Sequence, residues 1–325
     1  MASVTYLDAL RLALFEEMER DERVFVIGED VAAHGGAFGL TRGLLERFGE
    51  RRVIDTPISE SAVIGAAVGA ALMGMRPVVE VQYFDFVSCA FDQLVNCAAK
   101  MRYRSGLGVP MVVRGPCGAG VHAGPFHSQT PEGSLLNVPG LKIVAPATPT
   151  DAKGLLLAAI RDPDPVLVLE HKLLYRSLRE EVPEGDQIVP IGKARLARRG
   201  KDITIVTYGA MLHVALEAAA VVAAQDGIEL EIVDLRTLLP LDEPAILASV
   251  ARTGKALVLH EATRTGGPGA EIAALIAERA FEHLDGPVVR VTAPDTPVPL
   301  SPPLEEYFLP NAERTVEAVR ALHAY

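Results

Sequence analysis

The sequence has no excess of positive charge, no long uninterrupted apolar run, few cysteines and none of the common nucleotide or hydrolase loops. Each of these absences closes a class of function. With 31 Lys and Arg against 42 Asp and Glu, the formal net charge of −11 leaves no basic stripe for phosphate backbones, so nucleic acid is not an expected partner. Mean hydropathy is +0.24, yet the longest apolar stretch, 61–75, is interrupted by Gly65, Gly69 and Gly74. It falls short of the roughly 20 residues that a membrane span needs and reads as a buried helix. The opening residues lack the basic and apolar regions of a signal peptide, which predicts a cytoplasmic protein. Cys89, Cys97 and Cys117 are odd in number and have neither C-x-x-C spacing nor a His or Asp in zinc-like register, so they read as reduced thiols. Without a G-x-S-x-G elbow or a P-loop, neither hydrolysis by an activated serine nor nucleotide hydrolysis has support.

What is present is length and alternation. The chain has 325 residues, 49% of them hydrophobic, enough for two domains with substantial cores. Leu7, Leu10, Leu14 and Met18 fall at helical spacing, predicting a helix over 4–20 that leads into a β-branched strand over 23–27. The alternation continues with helices over 60–73, 90–104 and 149–161 and strands over 77–81, 110–113, 141–144 and 166–169. Such a pattern predicts an α/β, doubly wound, mainly parallel sheet with helices on both faces. Between 178 and 200 it breaks into charged residues with Pro183, Gly185 and Pro190, a surface connection. The expected domains are therefore 1–185, a linker over 186–200, and a smaller α/β domain over 201–325. In the second domain the Pro-rich stretch 296–303 should run extended over the surface before a last helix over 312–322.

Two roles fit Glu60 on position alone, because Asp55-Thr56-Pro57-Ile58-Ser59-Glu60 joins a strand-like 52–54 to an apolar helix. A carboxylate in a first helical turn complements the macrodipole, worth about 0.3–1 kcal/mol. Alternatively the apolar neighbours Ile58, Val63 and Ile64 desolvate it, raise its proton affinity and fit it for acid–base work. Farther along, Gly115 to Gly124 holds four glycines and leads to Phe126-His127-Ser128-Gln129. Pro116 and Pro125 prevent this loop from opening a helix, so it is not a dinucleotide fingerprint. His122 and His127 lack the helical spacing of a zinc hydrolase. On an irregular loop among small residues, His127 is either an ordinary surface histidine or a proton donor.

Taken together, several ordered blocks resemble the β subunit of the E1 component of thiamine-diphosphate-dependent 2-oxo acid dehydrogenases, of the pyruvate, branched-chain and acetoin type. They are Gly28-Glu29-Asp30-Val31, the Asp55 to Glu60 block, Arg76-Pro77-Val78-Val79-Glu80, Phe91-Asp92-Gln93, His127-Ser128-Gln129 and Pro139-Gly140-Leu141-Lys142. Further on come the blocks that begin at Asp151 and at Glu170, and Asp234-Leu235-Arg236-Thr237. The resemblance is nearly full-length and implies a transketolase-like fold, a pyrimidine-binding domain followed by a smaller C-terminal domain. It implies an oxidoreductase subunit that acts with an α subunit in a heterotetramer of two α and two β chains, decarboxylates a 2-oxo acid and acylates the lipoyl group of the E2 acyltransferase.

By the same resemblance, Glu60 bonds N1′ of the cofactor's aminopyrimidine, and Ile58, Gln82 and Phe86 line the ring. His127 serves the acylation of the lipoyl group. Where relatives often continue with Glu-Ala, this chain has Thr130-Pro131-Glu132-Gly133. Relatives also hold a structural monovalent cation, K⁺, at positions matching Met111, Ala159, Ile160, Asp162 and Asp164. Thiamine enzymes anchor the diphosphate through Mg²⁺ with a Gly-Asp-Gly motif and a distant Asn, and this chain has no such motif; Gly185-Asp186-Gln187 is its nearest approach. The resemblance thus assigns Mg²⁺ to the α subunit. Pyruvate, branched-chain 2-oxo acids and acetoin all remain compatible substrates. A non-catalytic assembly subunit is the rival that Glu60, Gln82 and His127 oppose, and a self-sufficient transketolase-like synthase is the rival that the missing motif opposes.

Overall fold

The computed structural model describes residues 3–183 and 185–325, and the chain divides into two compact units. The first comprises Met1–Cys117 and Leu135–Ile191. Beside a small antiparallel pair, Ser3–Thr5 with Arg179–Glu181, its main sheet contains β1 (Val24–Gly28), β2 (Val53–Asp55), β3 (Arg76–Glu80), β4 (Val112–Cys117), β5 (Lys142–Val144) and β6 (Val166–His171). They pair in the order β5-β6-β4-β3-β1-β2, all parallel. Every residue of β1, β4 and β6 is buried, as expected of a parallel sheet covered on both faces.

Helix α1 (Tyr6–Arg20) starts where the Thr5 hydroxyl accepts from the Asp8 N–H at 3.0 Å, and it buries Leu7, Leu10, Leu14 and Met18, the stripe visible in the sequence. Helix α2 (Glu60–Leu72) buries Val63, Ile64, Ala67, Val68 and Ala71. Helix α3 (Pro149–Arg161) has Thr148 as its cap and a proline in its first turn, and it packs on α1. The helix expected over 90–104 is broken instead. A 3₁₀ segment, Phe84–Ala90, is followed by a π segment, Gln93–Ala98, and a short helix, Met101–Ser105. In the π segment the Ala99 N–H reaches the Leu94 carbonyl, five residues back. Apolar spacing marks a helical face there without distinguishing its pitch.

The second unit comprises Gly118–Ser134 and Gly192–Tyr325. Its five-stranded sheet is built from β7 (Arg195–Arg198), β8 (Ile203–Thr207), β9 (Leu230–Asp234), β10 (Ala256–Thr263) and β11 (Val289–Ala293), in the order β11-β10-β8-β9-β7. All pairs are parallel except β9 with β7. Its helices are α4 (Met211–Asp226), α5 (Glu243–Thr253), α6 (Pro268–Arg279), α7 (Pro302–Phe308) and α8 (Ala312–His323).

Three expectations change here. Residues 195–198, read as linker, form β7, because Arg195 bonds Asp234 and Arg198 reaches the Leu230 carbonyl on the neighbouring strand. The Pro-rich stretch is extended only up to Ser301, since prolines occupy the first turn of α7, where a missing N–H costs nothing. The loop 118–134 lies in sequence between β4 and β5, within the expected first domain, yet it belongs to the second unit. Among the described residues no helix is long and apolar enough to cross a membrane.

Candidate functional site

In the first sheet the chain leaves β1 for β2 on one side and returns to β3 on the other, which makes the β1/β3 boundary a topological switch point. Open parallel sheets bind ligands outside the carboxyl ends of their strands at such a point. There β1 ends in Gly28 and runs into Glu29 and Asp30, while β3 ends in Glu80 and runs into Val81 and Gln82. A small pocket is lined there by Gly28, Glu29, Glu60, Val63, Ile64 and Val81. Glycine is needed on both flanks of this strand end. A Cβ on Gly28 would stand 2.5 Å from the Glu80 carbonyl oxygen, and one on Gly115 would stand 2.4 Å from that of Val81.

Glu60 is the first residue of α2, half-buried, after a Ser59 whose hydroxyl turns to the Pro57 carbonyl and so does not cap the helix. Its neighbour Glu29 is held above the usual carboxylate range, first by burial and then by the charge of Glu60, against a lowering bond from the Ser59 N–H. A carboxyl with raised proton affinity beside a second carboxylate is the kind of pairing that acid–base sites use. Sequence reasoning misses Glu29 as a site residue, although its place just past a strand end in the Gly28-Glu29-Asp30 block is a signal that marks it. Asp55 has a structural duty, accepting from the Ala32 N–H at 2.7 Å and the Ala33 N–H at 3.3 Å.

Gln82 joins this cluster through its amide, which donates to Asp30 at 3.1 Å. Asp30 has φ 56°, a left-handed conformation that Asp tolerates and that tends to be kept at functional sites. Phe86 sits half-buried in the 3₁₀ segment after Gln82, anchored by its N–H to the Tyr83 carbonyl and by the buried Phe84 beside it. Ile58 differs from expectation. It is 82% exposed, so Val63 and Ile64 form the apolar wall beside Glu60 and Ile58 does not. It lies on the loop before α2, outside the stripe that the helix buries.

His127 belongs to the second unit, on the loop 118–134. It is half-buried beside a fully buried Ser128, and its N–H donates to the Gly124 carbonyl at 3.3 Å. The loop closes where the Gly118 N–H meets the Gln129 carbonyl at 3.0 Å. Glu132, in the segment that departs from the family pattern, is buried and accepts from the Tyr208 hydroxyl at 2.6 Å.

The positions expected to bind a cation gather at the end of α3. Ala159 and Ile160 are in its last turn and Asp162 caps it. Carbonyls at a helix C terminus lack intrahelical donors and carry the negative end of the dipole. The Ile160 and Asp162 carbonyls converge on one Arg76 nitrogen, at 2.7 and 3.2 Å. The Asp162 carboxylate is held by Lys142 at 2.7 Å and that of Asp164 by Arg102, while the Ile160 and Asp162 carbonyls, with Arg76 on one lone pair, each keep a second. The Met111 carbonyl accepts from the Val166 N–H at 3.0 Å and keeps its second lone pair.

Residues 2–177 match the family described as transketolase, pyrimidine binding domain, and residues 192–315 match transketolase, C-terminal domain. The chain is 50% identical over 325 residues to the 2-oxoisovalerate dehydrogenase subunit beta of Bacillus subtilis, covering 99% of each chain. It is 48% identical over 322 residues to the pyruvate dehydrogenase E1 component subunit beta of the same organism, covering 98% of each. Among solved structures it resembles a split gene transketolase, an inactive beta4 tetramer, with a TM-score of 0.81 at 22% identity and 99% of each chain covered, a likeness of fold.

Proposed function

Because the chain belongs to the family of E1 β subunits of 2-oxo acid dehydrogenases, with transketolase pyrimidine-binding and C-terminal domains, we propose that Glu60 and the crevice at the ends of β1 and β3 receive the aminopyrimidine of thiamine diphosphate. The observation that carries this reading is the place of Glu60, a half-buried carboxylate at the switch point between the apolar Val63 and Ile64 and a second acid. When bound, thiamine diphosphate supplies the nucleophilic carbon for a 2-oxo group and the sink for the electron pair left by carbon dioxide. Glu60 holds and returns a proton at the pyrimidine N1′. Gln82 and Phe86 would hold the ring, Phe86 by its aromatic face, while Ile58, on the exposed loop before α2, stands outside that wall. His127 is assigned to the later step, transfer of the acyl group to the lipoyl group of E2.

The diphosphate end requires a partner. This chain has no Gly-Asp-Gly motif, so Mg²⁺ and the diphosphate are assigned to an α subunit in a heterotetramer of two α and two β chains. Alone, the chain is expected to bind thiamine diphosphate weakly and to show no turnover; co-expressed with its α partner it should bind in a Mg²⁺-dependent way and decarboxylate. Calorimetry on both preparations checks this, and tight Mg²⁺-dependent binding with turnover by the isolated chain would overturn the shared site. Relatives acting on 2-oxoisovalerate and on pyruvate stand nearly level, at 50% and 48% identity, so the assembled pair is to be assayed with both and with acetoin. The free thiols, Cys89 among them exposed, suit a reducing compartment and support a cytoplasmic setting.

K⁺ is proposed at the carbonyls of Met111, Ala159, Ile160, Asp162 and Asp164, where the C terminus of α3 favours a cation. Exchange of K⁺ for choline should lower the melting temperature in a concentration-dependent way, since a ligand of the folded state stabilises by mass action. Identical melts in the two salts would remove the ion from the proposal.

A further inference from the structure

We infer that Glu305 is a positioning residue for the loop that carries His127, an inference that rests on the reading of His127 as the acyl-transfer histidine. Glu305 is in the first turn of α7 and only 1% exposed. Its carboxylate takes donors from one stretch of loop. The Gly120 N–H lies 3.0 Å from Oε1, the His122 N–H 3.1 Å from Oε2, and the His122 Nδ1 2.5 Å from Oε2. A second buried carboxylate, Glu261 on β10, takes the preceding amide, Ala119, at 2.7 Å. Hydrogen bonds to an ionised acceptor are the strong ones.

These bonds bear on His127 because the loop is closed. Its base is pinned from Gly118 to Gln129, and its tip is turned where the His127 N–H meets the Gly124 carbonyl. Holding 119–122 therefore limits where 124–127 can go. His122 has φ 58°, a conformation that a non-glycine residue keeps only when its surroundings enforce it, and Glu305 grips both its backbone and its ring. Released from Glu305, His122 is free to leave that conformation and the tip loses its fixed arm.

Glu305→Gln is a sharp probe. An amide has one accepting oxygen and one donating nitrogen, so one of the loop's donors must face another donor. In the assembled α/β enzyme, hydrogen exchange of the peptide spanning 118–129 should quicken. Acylation of a lipoyl domain should fall roughly tenfold more than decarboxylation read with an artificial electron acceptor, the scale of one charged hydrogen bond. His127→Ala should show the same imbalance between the two assays, and the double variant should be no worse than His127→Ala alone, since groups acting through one another are not additive. Unchanged exchange in E305Q, equal losses in its two assays, or multiplying losses in the double variant would each overturn the positioning role. Equal losses for His127→Ala would overturn the reading of His127 instead, while the exchange data would still decide whether Glu305 holds the loop. If E305Q does not assemble, His122→Ala removes only the ring's share of the grip, and the same exchange and partition shifts are expected in smaller measure.

Discussion

A Glu60→Gln chain, co-expressed with its α partner, is expected to assemble and melt close to wild type while turnover falls at least roughly a hundredfold, the lower bound for loss of a positioned proton-transfer group. The substitution keeps volume and shape at the head of α2 and removes only the group that holds a proton. Its small stability terms oppose one another. Losing a first-turn charge costs about 0.3–1 kcal/mol, whereas relief of repulsion works the other way. Glu29 is raised by burial and by the charge of Glu60, so the folded state binds protons there more strongly than the unfolded chain. Stability therefore declines as pH rises from the usual carboxylate range through that raised value, and removing the Glu60 charge restores part of it at neutral pH. The check pairs thermal melting with H/D exchange at C2 of the bound cofactor, followed by NMR. Near-normal exchange and turnover in a correctly assembled variant would leave Glu60 as a dipole complement and nothing more.

The largest loss of stability is expected from Arg114→Met. Arg114 lies on β4, 2% exposed, and binds Glu170 on β6 through two nitrogens at 2.5 Å and Glu80 on β3 through a third. Tyr175 donates to the same Glu170 carboxylate at 2.6 Å. One cation thus ties three strands together beside the crevice, and it partly offsets the burial that raises Glu80. Methionine leaves two buried carboxylates without a counter-charge, a loss of about 3–5 kcal/mol, or roughly 6–20 °C in melting temperature for a unit of this size. The sign with pH is set by Glu80. Without Arg114 its folded carboxyl rises further, so the deficit is greatest at neutral pH and shrinks as acid protonates it. Melts of the variant from pH 7 down to about pH 5 test this; a deficit that is constant or that grows with acid would contradict the account.

Where local chemistry decides local structure, the fold is legible in the sequence. α1 and α3 each announce themselves by a Thr cap and an apolar stripe, and α3 also by a leading proline. Where neighbours decide, it is not. The π segment opens with Gln93, whose side chain lies over Gly65 of α2, a neighbour remote in sequence, and β7 becomes a strand because β9 offers it an edge. The site divides in the same way. Glu60 and Gln82 sit in contiguous blocks beside strand ends, so pattern finds them. Ile58 reads as part of an apolar wall because it is near in sequence, yet the loop turns it outward. Glu29 needs the repulsion from Glu60 to stand out. Glu305 is separated from His122 by 183 residues and has no local signature at all.

That separation has a consequence in time. During synthesis the glycine-rich loop leaves the ribosome well before the acids that hold it, Glu261 being 142 residues later than Ala119 and Glu305 183 later than His122. At about 5–20 residues per second the wait for Glu305 is on the order of 10–35 s. Over that interval the amides of Gly120 and His122 answer only to water, and the nascent loop must stay out of mispairings until the last part of the chain arrives to claim it.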